Sequence, residues 1–157
     1  MQTARAAAQN DEVPVAAMIC EFPRVSASES GEVREWRELS LEPNRIVELG
    51  DPTAHAEMLA LRSACKTAGS ERLSPNSALI VSLEPCMMCT GALVLARVSR
   101  IYYFAPTEKG AGMAELLEAT RGNESRMNHY PEFVHLDGYT DECAGLLRDF
   151  FRARRGK

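Results

Sequence analysis

"ALIVSLEPCMMCTGALVLARVSRIYYF", residues 78–104, decides the fold. Its first six residues form a near-continuous apolar run, the mark of a parallel strand buried on both faces. Residues 86–97 read as a helix, with Pro85 at its start, where proline is tolerated. "RIYYF" (100–104) reads as a second strand. Strand, helix and strand within so short a span predict a βαβ unit with parallel strands and a right-handed crossover.

Downstream, the pattern predicts a short helix at 112–119, a loop at 125–131, a last strand at 132–136 and a final helix at 140–155. Thr140 suits the cap of that helix, and Asp141 and Glu142 suit the positive end of its dipole. Leu146, Leu147, Phe150 and Phe151 supply its apolar face. Upstream, residues 55–67 form a helix with Met58, Leu61 and Cys65 on one stripe. Residues 33–42 form a weak strand, with Trp36, Glu38 and Ser40 alternating against Leu39 and Leu41 and its acidic charges on a solvated edge. "FPRVSASESGE" (22–32) is a polar loop, 13–20 an apolar strand and 3–10 a short helix. The fold class expected is α/β.

The chain has 157 residues, 45% hydrophobic and 25% charged, so one domain spanning 1–157 is expected. Its net charge of -4 advertises no global basic field for nucleic acid, although a local patch remains open. No run reaches the ~18 apolar residues of a membrane span, and "MQTARAAAQN" lacks the apolar centre of a signal peptide. Five cysteines cannot close a complete disulfide set. A reduced, cytoplasmic protein is expected, in which paired cysteines read first as metal-binding or catalytic.

Cys86 and Cys89 stand three apart at a helix start, so both sulfurs share one face, and free N–H groups there favour thiolate. In "DPTAHAEML" (51–59), His55 and Glu57 also open a helix. Two helices starting at the same end of a sheet bring His55, Cys86 and Cys89 together. One His and two Cys leave a tetrahedral ion one open position for water, as a catalytic zinc requires. Glu57 is then the spare carboxylate that moves the water's proton. By itself, C-x-x-C also fits a redox pair or half of a structural site. Cys20, Cys65 and Cys143 could supply a fourth ligand, but each lies in an apolar run and reads better as core.

With H-A-E before one helix and P-C-x-x-C before the next, the sequence resembles the zinc-dependent nucleobase deaminases, and most closely the bacterial tRNA adenosine deaminases. "DEVPVAAMI" resembles the family's first strand. "DPTAHAEMLALR" and "SLEPCMMCTGALVLAR" resemble its two catalytic helices, "MNH" (127–129) its late loop and "DECAGLLRDFFRARR" its terminal helix. The resemblance implies a cytidine-deaminase-like three-layer α/β/α sandwich around a mixed five-stranded sheet, usually a homodimer. It implies one zinc ion per chain on His55, Cys86 and Cys89, and Glu57 as proton shuttle. It also implies substrate contacts at Asn44, Ala56, Thr107, His129, Phe150, Arg152 and Arg154. The reaction implied is hydrolytic conversion of adenosine to inosine in an unpaired tRNA anticodon loop, at the wobble position.

Several positions depart from the family pattern. The first helix is short, the 22–32 loop is long, Ala16 replaces a customary Gly, and Thr107 stands where many bacterial members carry Asp.

The basic run of Arg148, Arg152, Arg154, Arg155 and Lys157 suits RNA phosphates, and equally a solvated helix end. Two rivals are a deaminase of free guanine or cytosine-type bases and a zinc-stabilised RNA-binding module without catalysis. Glu57 argues against the second, since a purely structural site has no use for an unliganded carboxylate beside the metal.

Overall fold

The computed structural model describes residues 1–22, 36–107, 112–120 and 129–155. In chain order the elements are α1 (Gln2–Gln9), β1 (Ala16–Glu21), β2 (Arg37–Pro43), α2 (Ile46–Leu49), α3 (Ala56–Ala68), β3 (Ser77–Leu83), α4 (Met87–Leu95), β4 (Arg100–Ala105), α5 (Met113–Thr120), β5 (Glu132–His135) and α6 (Thr140–Arg155), with a 3-10 turn at Asp137–Tyr139. The expected loop at 22–32 lies outside the described residues beyond Phe22, as do Met127 and Asn128 of the late loop.

The strands form one sheet in the order β2-β1-β3-β4-β5. β1 runs antiparallel to both β2 and β3, while β3, β4 and β5 are parallel. The sheet is therefore mixed, and the βαβ reading of 78–104 holds. Helices flank both faces, which bears out the three-layer expectation.

One face carries the buried core. Ala17, Ile19, Leu79, Val81 and Ile101 pack against Ala56, Ala60 and Leu61 of α3 and Leu93 of α4. The Ser40 hydroxyl donates to the Ala60 carbonyl at 2.7 Å, tying β2 to α3. The other face is thinner. Met1, Met18, Leu41, Ile80, Phe104 and Tyr139 line a cavity of about 300 Å³ there. Cys143 is the only buried residue of α6.

Three expectations need correction. The alternation in β2 fails, because Leu39 and Ser40 are both buried and Leu41 is 45% exposed. The register shifts opposite Ile19 and Cys20, and a bulge lets adjacent side chains turn the same way. Thr140 does not cap α6 by accepting a helix N–H. Its hydroxyl donates to the carbonyls of Phe104 at 2.8 Å and Leu136 at 3.2 Å, and the 3-10 turn leads into the helix instead. Phe151 is 43% exposed and stands outside the apolar face assigned to it. Of the cysteines expected in the core, Cys20 and Cys143 are buried and Cys65 is half-buried against it.

Candidate active site

β2 and β3 run in the same direction, and both end where the site is built. After β2, the backbone N–H of Asn44 donates to Val15 and that of Arg45 to Ala54. This brings the end of β2 beside the start of α3. Asp51 fixes the turn between them, accepting from the N–H and hydroxyl of Thr53, each at 2.7 Å. Those two bonds hold the Asp51 carboxyl below its ordinary value. His55 is the N-cap residue of α3, and Glu57 lies in its first turn. Across the sheet, β3 ends at Leu83, Glu84 and Pro85 follow, and Cys86 is the N-cap of α4.

The two helix starts converge as expected. His55 Nδ1 lies 3.7 Å from Cys86 Sγ and 3.6 Å from Cys89 Sγ, and the sulfurs are 3.6 Å apart. Zinc bonds of about 2.3 Å to sulfur and 2.0 Å to nitrogen, at tetrahedral angles, separate the donors by about 3.8 Å (S–S) and 3.5 Å (S–N). The triangle therefore has the size and donor chemistry of a zinc site, and Cys20, Cys65 and Cys143 are not part of the group. The Cys86 thiol is held down to about 5, first by its hydrogen bond with Cys89, while sharing that bond and burial push Cys89 up. Metal binding takes both sulfurs as thiolates.

Glu57 is buried, and desolvation raises its carboxyl above the ordinary range. It shares a cavity of about 130 Å³ with Val13, Val15, Asn44, Ile46, His55, Leu83, Glu84 and Cys86. Polar and charged side chains thus share the pocket with apolar ones, as small-molecule sites commonly do. Asn44 is buried and oriented from outside, its Nδ2 donating to Glu12 Oε2 at 3.1 Å. Glu12 Oε1 in turn accepts from the Glu48 N–H at 2.8 Å.

The remaining expected contacts fall in different places. The Ala56 side chain is fully buried in the core, leaving its backbone at the start of α3. Thr107 is half-buried, and its N–H donates to Glu84. His129 does not join the pocket. Its Nε2 is 2.6 Å from the Val98 carbonyl oxygen, at the end of the sheet where Ser99 bonds Ser77, and seven-residue β3 separates that end from the cysteines by roughly 20 Å.

On α6, the Arg154 guanidinium stacks over the Phe150 ring at 4.5 Å and reaches Asp11, bonding its carbonyl and pairing with its carboxylate at 3.7 Å. Arg152 is exposed and pairs with Asp149 at 3.6 Å. Lys157 lies outside the described residues.

Sequence reasoning missed Glu12 and Glu84. An acid closing an apolar run, as in "VSLEP", was the available signal.

Residues 1–105 match the family described as the cytidine and deoxycytidylate deaminase zinc-binding region. A tRNA-specific adenosine deaminase from Agrobacterium fabrum is 37% identical over 97% of this chain and 89% of its own length. A structure solved in a study of A-to-I editing by tRNA:A34 deaminases at the wobble position of transfer RNA is 35% identical. It covers 93% of this chain and 94% of its own, with a TM-score of 0.72. A guanine deaminase from Nitrosomonas europaea superposes with a TM-score of 0.64 at 25% identity, over 95% of this chain and 79% of its own. With relatives this similar over nearly its whole length, the chain belongs to the tRNA-specific adenosine deaminases, zinc-dependent hydrolases of the cytidine and deoxycytidylate deaminase group.

Proposed function

We infer that this protein hydrolyses adenosine to inosine and ammonia at the wobble position of a tRNA anticodon loop. One observation carries the reading: His55 and Cys86 of a His–Cys–Cys triangle of zinc dimensions share a small cavity with the buried Glu57 carboxylate, which is outside the ligand group found among the described residues. His55, Cys86 and Cys89 would hold zinc, which when bound would supply Lewis acidity and make water nucleophilic near neutral pH. Glu57 would take one proton from the attacking water and pass it to the purine ring nitrogen. It would then take the water's second proton from the hydroxyl now on the reacting carbon and pass it to the amine, which leaves as ammonia while the carbonyl of inosine forms. Its raised affinity for protons suits an acid–base shuttle. Asn44, held by Glu12, hydrogen-bonds the nucleoside, and the backbone at Ala56 and Thr107 borders it.

Phe150, Arg152 and Arg154 contribute the RNA surface, with phosphates as the partners of the arginines. The whole of residues 1–157 acts as one deaminase unit in the cytoplasm, where tRNA is found. Among the described residues no helix is long and apolar enough to cross a membrane. A homodimer is supported by the outer side of α4, where Met87 is 72% and Leu95 77% exposed. Sedimentation equilibrium reads that state directly.

The decisive assay offers the purified protein an anticodon stem-loop with adenosine at the wobble position and, separately, free adenine, guanine and cytosine. Inosine in the stem-loop is the expected product. Turnover confined to a free base would replace this reading with the small-molecule one.

A further inference from the structure

Glu84 is a second buried carboxylate in the cavity, and proton transfer makes no use of it. Its oxygens are bound from two directions. Oε2 accepts from the Thr107 N–H at 3.1 Å, just past β4, and Oε1 from the Ala114 N–H at 3.0 Å, in the first turn of α5. The residue before α5 is Gly112, followed by Met113, so no side chain there can cap the helix. Glu84 caps it instead from another element, placing a negative charge at the positive end of the dipole.

Gly112 leaves room for this arrangement. A Cβ at that position would overlap the Glu84 carboxylate. Glu84 also donates its own N–H to the Ala105 carbonyl at 2.8 Å and stands two positions before Cys86. One side chain therefore joins the cysteine-bearing turn to both Thr107 and α5.

We propose that Glu84, which lines the cavity, is a positioning residue that holds Thr107 and the start of α5 against the pocket's rim, and thereby sets how tightly the substrate base and its neighbours are held. This rests on the deaminase reading for its substrate, and on the two hydrogen bonds for its mechanism. Removing the carboxylate frees both N–H groups and lets Thr107 and the start of α5 shift, while the zinc donors stay in place.

The test compares Glu84→Ala, Glu84→Gln and Gly112→Ala with the wild type, using zinc-loaded full-length protein. Steady-state kinetics on the stem-loop are measured beside zinc content and amide exchange at Thr107 and Ala114. Glu84→Ala is expected to raise KM about tenfold with a smaller change in kcat, to keep its zinc, and to exchange both amides faster. Glu84→Gln retains one acceptor oxygen and should fall between. Gly112→Ala keeps the glutamate but displaces it, so it should reproduce the exchange pattern and the higher KM even if the alanine variant at 84 folds poorly. Faster exchange with an unchanged KM would overturn the proposal and leave Glu84 a structural cap. A higher KM with both amides still protected would overturn it equally. Should the wild type act on a free base instead, the functional reading fails by itself, and the same KM comparison on that base still decides the role of Glu84.

Discussion

Glu57 and Cys89 are both buried at the start of neighbouring helices, yet only the sulfur belongs to the ligand triangle. Substitution should separate them. Glu57→Ala is expected to keep its metal and lose at least about a hundredfold in inosine formation, as removal of a general acid–base does. Cys86→Ala or Cys89→Ala should lose metal and activity together. Metal analysis beside the activity assay checks both, and loss of zinc from Glu57→Ala would make that residue a ligand. The thiols also differ in reactivity. Cys20 is buried and pushed up to about 11, so at pH 8 only about one thiol in a thousand is ionised. Its alkylation should stay negligible until the pH rises toward that value. Cys86 is exposed, so a chelator should open it to iodoacetamide while Cys20 remains silent, and peptide mass spectrometry distinguishes the two.

At the scale of elements, the two faces of the sheet predict different tolerances. Leu79 has no exposed surface, so Leu79→Ala should cost about 3 kcal/mol in urea unfolding, whereas Leu41→Ala on the open edge should cost under about 1 kcal/mol. The α6 arginines divide similarly. Among the described residues Arg152 pairs with Asp149 across one helical turn, and Arg152→Ala should weaken stem-loop binding and flatten its salt dependence without changing stability. Arg154 is committed to Asp11, so Arg154→Ala should lower stability as well. Titration at several salt concentrations, with thermal melts as control, tests both.

The βαβ unit and the ligand triangle were legible in the sequence because each depends on local periodicity and on residues at helix starts. The bulge in β2 was not, since it arises from pairing with β1 across the sheet. Nor were the bonds of Glu84 to Thr107 and Ala114 and of Thr140 to Phe104, which span 23 to 36 residues. A buried carboxylate satisfied by distant N–H groups leaves no periodic trace.

For the molecule as a whole, the His–Cys–Cys triangle sits at the starts of α3 and α4 against the core face, and the arginines proposed for RNA ride on α6 against the thinner one. α6 buries a single residue, beside a cavity of about 300 Å³. Segments with few buried apolar groups open at a fraction of the global unfolding free energy. The enzyme should therefore lose its capacities in sequence on warming. Grip on tRNA should fade first, while metal retention and turnover of a short, loosely held oligonucleotide persist to the main transition. Binding and chemistry followed separately along one temperature ramp would show two midpoints, and a single shared midpoint would mean that the arm and the anvil melt as one.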